Sequence, residues 1–62
     1  MDEVLYKTIG EIFTKMKEAK SKKSMEKWKN VLRGAVMAYR ELGLITPKEA
    51  HQIIERGDFL VP

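Results

Sequence analysis

No cysteine and only one histidine occur in these 62 residues, and those two scarcities exclude several architectures at once. A chain this short buries only about 60% of its unfolded surface. Small domains therefore often recruit disulfides or a structural metal, yet here there is no thiol to pair and no four-ligand set for zinc. Stability must come from well-packed helices or from self-association. The lack of cysteine fits a reducing compartment, and a cytoplasmic location is the expectation. No apolar run approaches the roughly 18 residues of a membrane span, and the opening Met1-Asp2-Glu3 is acidic and unlike a signal segment, so no membrane partner is expected. Phosphate loops and dinucleotide fingerprints are missing. The carboxylates stand singly, which argues against a glycosidase-type pair or a metal cluster. His51 has only Glu55 four residues on, the spacing of a surface pair. The expectation is a non-enzymatic protein with no catalytic or metal-binding residue, no cofactor and no small-molecule substrate.

What is present points to helices. Apolar residues make up 44% of the chain and charged residues 34%, the balance of a globular helical protein and not of a disordered tail. Leu5, Ile9, Ile12, Met16 and Ala19 recur at steps of four and three, and Met25, Trp28, Leu32, Ala35, Tyr39 and Leu42 repeat the pattern. Both are heptad seams. They predict one helix over residues 2–19, widened by Val4 and Phe13, and a second over 25–42. Val31, Val36 and Ala38 broaden the second helix's apolar arc to about 160°, more than one neighbour needs. The second helix is thus the expected centre of the molecule. Gly34, Ala35 and Ala38 form a small-residue patch on it, suited to packing against the first helix or against another protomer. Gly10 is a weak point inside the first helix, costing about 1 kcal/mol relative to alanine.

Charge is concentrated at one end. Between Thr14 and Arg33, eight basic residues (Lys15, Lys17, Lys20, Lys22, Lys23, Lys27, Lys29 and Arg33) face only Glu18 and Glu26, a net +6 that leaves −3 for the rest of a chain whose total is +3. Residues 20–24 hold no apolar side chain and read as an exposed basic turn, with Ser21 or Ser24 capping the helix that follows. This basic end is either a solvated face or a contact for a phosphate backbone or acidic protein surface.

The densest local signal is Leu42-Gly43-Leu44-Ile45-Thr46-Pro47-Lys48-Glu49. Gly43 can take the left-handed conformation that ends a helix, with Leu44 folding back on the last turn. Thr46 suits an N-cap, Pro47 the first helical position and Glu49 the return arm of a capping box, with Ile45 and Ala50 as a hydrophobic staple. A turn over 43–46 and a short third helix over 47–56 follow, with Ala50, Ile53 and Ile54 inward and Gly57 as the stop. Residues 57–62 form an apolar tail, whose Phe59, Leu60 and Val61 join Met37 as candidate contacts for a protein partner.

Residues 39–56, with Tyr39-Arg40-Glu41-Leu42-Gly43-Leu44-Ile45-Thr46-Pro47-Lys48-Glu49-Ala50 at their heart, resemble the short helical hairpins called SHOCT domains. That resemblance implies a role in oligomerisation or interaction. Thr46-Pro47-Lys48-Glu49-Ala50 is also similar to the opening of excisionase-type helix-turn-helix domains. Those need a recognition helix soon afterwards, which these 62 residues do not supply, so major-groove reading is not expected.

The expected fold is an all-α bundle of three helices, the first two antiparallel and the third folded back. Its expected core is Leu5, Ile9, Ile12, Phe13, Met16, Trp28, Leu32, Ala35, Tyr39, Leu42, Ile53 and Ile54. The expected function is an interaction or regulatory module that binds a protein partner, such as an accessory protein of a phage or mobile element. The alternative is a non-sequence-specific nucleic-acid binder using the basic turn. Two heptad seams on so short a chain also favour a homodimer.

Overall fold

The computed structural model describes the backbone of residues 3–60 and the side chains of residues 3–58. Three helices account for nearly all of it: α1 (Glu3–Glu18), α2 (Lys22–Glu41) and α3 (Pro47–Leu60). They form an all-α three-helix bundle measuring 33 × 18 × 15 Å. Its long dimension is that of α2, since 20 residues at 1.5 Å each span about 30 Å. α2 packs equally against α1 and α3, which touch each other far less. α2 thus serves two neighbours, but of the three residues expected to broaden its apolar arc only Val36 is buried; Val31 is 40% exposed and Ala38 is exposed as well.

The first seam is buried as its spacing predicts: Leu5, Ile9, Ile12 and Met16 are the buried residues of α1. Val4 does not widen it, being 67% exposed. On α2, Leu32 and Val36 are withdrawn almost completely from solvent, and Trp28, Ala35 and Tyr39 pack half-buried against the core. Leu42, expected in the core, is 72% exposed. Ten residues after Leu32, it lies about 80° round the helix, and it is the C-cap residue where the chain turns away. Ile45 and Ala50 take core positions instead.

The hairpin between α2 and α3 follows the residue signals closely. Gly43 has φ 74°, the Leu44 amide donates to the Tyr39 carbonyl at 2.9 Å and the Gly43 amide donates to Arg40 at 3.0 Å. Together these bonds make a Schellman close. The Leu44 side chain remains half-exposed. Thr46 and Glu49 exchange capping-box bonds: the Glu49 amide donates to Thr46 Oγ1 at 3.1 Å, and the Thr46 amide donates to Glu49 Oε1 at 2.9 Å. The buried pair Ile45 and Ala50 completes the staple.

Two boundaries differ from expectation. Ser21, and not Ser24, caps α2: Ser21 is extended (φ −124°, ψ 153°) and its Oγ accepts from the Ser24 amide at 3.1 Å. Lys22 and Lys23 thus belong to the first helical turn, and the link shrinks to Ala19-Lys20-Ser21. Gly57 does not stop α3, which runs on to Leu60. Its role is steric. A Cβ there would collide with Leu32 Cδ2 and lie 3.8 Å from both Met16 Cε and Phe13 Cε1. Missing side-chain bulk lets α3 sit against the most buried leucine of α2.

Two glycines therefore make opposite predictions. Gly10 is exposed and its Cβ position is open, so Gly10→Ala gains about 1 kcal/mol of helix propensity, a rise in Tm of several degrees. Gly57→Ala gains the same propensity but overpacks Leu32 at a cost of about 1–3 kcal/mol, so its midpoint in urea falls below wild type. A Gly57→Ala chain as stabilised as Gly10→Ala contradicts the close crossing.

Candidate functional site

The eight basic residues at one end separate into two groups. Lys15 and Lys17 lie in the last turn of α1, Lys20 in the link, and Lys22, Lys23 and Lys27 in the first turns of α2; all six are exposed. None of the six makes a salt bridge to a described residue. Lys27 Nζ sits 5.5 Å from the centre of the Trp28 ring, a cation–π distance. The first turn of α2 contains no acidic residue, so its lysines add to the positive pole of the helix dipole instead of offsetting it.

Lys29 and Arg33 belong to a different arrangement. Lys29 Nζ is 3.2 Å and Arg33 Nη2 3.4 Å from Asp58 Oδ1. Asp58 belongs to a tail only if Gly57 ends α3; continued helix instead carries the carboxylate back to α2. The hydrogen bond from Lys29, helped by Arg33, holds the Asp58 carboxyl below its ordinary value. Glu49 is also lowered, by its bonds from the Thr46 backbone and side chain. His51 Nε2 lies 3.7 Å from Glu55 Oε2 on the open surface, the pair its spacing implies.

A second feature was not anticipated. Between α1 and α3, the two helices that touch least, runs a groove of about 820 Å³. Tyr6, Ile9, Phe13 and Ile53 give it an apolar lining, Gly10 leaves backbone open along it, and Glu49, Gln52, Glu55 and Arg56 stand around it. Tyr6 is 58% exposed. The pattern that marks it is Tyr6, Gly10 and Phe13, a second stripe at steps of four and three beside the core seam of α1. Of the sequence-derived protein contacts, Met37 is 41% exposed on α2 and is not part of this groove. The side chains of Phe59 and Leu60, and all of Val61, lie outside the described residues.

Among the described residues, no group of three or more His, Cys, Asp or Glu side chains is placed to hold a metal ion, and no helix is long and apolar enough to cross a membrane. Comparison with known protein families, curated proteins and solved structures returns no match.

The lowered carboxylates set an acid limb. Both contribute stability above their ordinary values of 3.8 and 4.5. That contribution is lost as pH falls from the ordinary values through the lower folded-state ones, because the unfolded chain takes up its protons first. Asp58→Asn therefore flattens the loss of stability below about pH 4 while changing helical content little. An unchanged acid limb in thermal melts of that variant contradicts the Lys29–Asp58–Arg33 cluster.

Proposed function

We propose that this chain is a non-enzymatic interaction module that binds a partner protein through the groove between α1 and α3. The groove itself carries the reading. It has the size and apolar lining of a recognition cleft, and it runs between two helices, the form in which an apolar helix face is commonly received. Tyr6 and Phe13 offer aromatic surface of the kind that dominates binding energy. The resemblance of residues 39–56 to SHOCT hairpins supports the same class of function. The ligand it fits is an amphipathic helix presenting apolar anchors at i, i+4 and i+7.

Selection of a displayed library of helical peptides on the immobilised chain tests this. Binders with that anchor spacing are expected, and Tyr6→Glu, at an exposed position, should weaken them by about tenfold or more. Enriched peptides indifferent to Tyr6→Glu, or no enrichment, contradict the groove as the docking site.

A second reading has its own observation: six exposed lysines without described salt-bridge partners surround the start of α2. They suit a phosphate backbone, bound without sequence preference. If all six meet phosphates, log affinity for duplex DNA falls against log salt with a slope of about −5. Lys20→Glu, Lys22→Glu and Lys23→Glu together should abolish any mobility shift at low salt. No shift by the wild-type chain on DNA or RNA eliminates this reading.

A further inference from the structure

α2 carries an exposed apolar strip beside its core-facing residues. Trp28, Val31, Ala35, Ala38 and Leu42 follow one another at steps of three and four, the spacing of a coiled-coil seam. Trp28 and Ala35 have one side against the core, while Val31, Ala38 and Leu42 are exposed, Val31 at 40% and Leu42 at 72%. Val31 lies roughly 160° around the helix from Arg33, which reaches Asp58 of α3. This face is therefore turned away from α3.

We infer that this face pairs with the same face of a second copy, the two α2 helices running antiparallel. Charge selects both occupant and direction. Lys27, Gly34 and Glu41 are spaced by sevens beside the seam, and all three are exposed. With Gly34 on the two-fold axis, Lys27 of each copy meets Glu41 of the other, and both pairs form at once. A parallel arrangement forms neither pair, because residues at this flanking position then lie on opposite sides of the interface. Pairs at such flanking positions set partner choice and orientation in coiled coils.

Shape agrees with charge. In this register, Trp28 faces Ala38 of the second copy, Ala35 faces Val31 and Leu42 faces Ser24, so each bulky side chain meets a small one. A Cβ at Gly34 would find nothing within 4 Å. The intramolecular fold thus makes no demand on this glycine, whereas two helices crossing there approach more closely without a side chain. An isologous contact of this kind closes on itself and stops at a dimer.

Sedimentation of the full chain over a wide concentration series tests the pairing. Wild type should pass from 7.2 kDa to twice that mass. Lys27→Glu or Glu41→Lys should each raise the dissociation constant by about tenfold, and the double exchange should restore it. Leu42→Glu, at an exposed site, should hold the chain at monomer mass with unchanged helical circular dichroism. Glu41→Lys also places a cation at the C-terminal end of α2, which favours the isolated helix; a weaker dimer from a monomer no less stable cannot be a folding defect. A mass fixed at 7.2 kDa overturns the inference. So does a dimer unaffected by Leu42→Glu, or one whose charge exchange fails to restore affinity.

Discussion

The approach of α3 to Leu32 at Gly57 is the contact on which the rest of the architecture depends. Leu32 is 1% exposed, so it has little room to yield, and a Cβ at position 57 would force its Cδ2 methyl to shift. Because α3 comes that close to α2, its next residue, Asp58, falls within reach of Lys29 and Arg33. Ile53 and Ile54 pack against the same core. With α3 held on α2, its contact with α1 is limited and the groove beside Gly10 stays open. One steric permission thus positions a helix, an ion cluster and a cleft.

The hairpin directs that approach. The Schellman close at Gly43 and the capping box at Thr46 leave few conformations for the residues between α2 and α3. Such local bonds add modestly to stability, about 1 kcal/mol for a cap. Their larger effect is geometric: they determine where α3 starts, and its helical register then brings Gly57 to Leu32 ten residues on. Burial of Leu32, Val36, Ile45 and Ala50 supplies the driving force across this junction.

Much of this was legible in the residues, for a consistent reason. Periodicity and capping are local properties, so the three helices, the α1 seam and every bond of the hairpin could be read from spacing and side-chain type. Features that arise where helices meet could not. Gly57 carries the same symbol whether it ends a helix or admits a neighbour, and only the position of Leu32 decides. Read as a stop, it leaves Asp58 in a tail and gives Lys29 and Arg33 no partner but the neighbouring charges, whereas both reach Asp58. Leu42 satisfies the heptad spacing but drifts off the buried arc, because a straight helix turns 3.6 residues and not 3.5. The groove is hidden for the same reason: it exists because α1 and α3 touch so little, which neither helix encodes alone.

If the Gly57 crossing organises the bundle, α3 and the centre of α2 form one cooperative unit. Native-state hydrogen exchange resolved by residue measures this directly. The amides of Ile53, Ile54 and Gly57 should exchange with the same opening free energy as those of Leu32 and Val36, and all should respond alike to added denaturant. Exchange of the α3 amides at a much lower opening free energy, with α1 and α2 still protected, would show that the helical pair stands without α3 and would contradict the account.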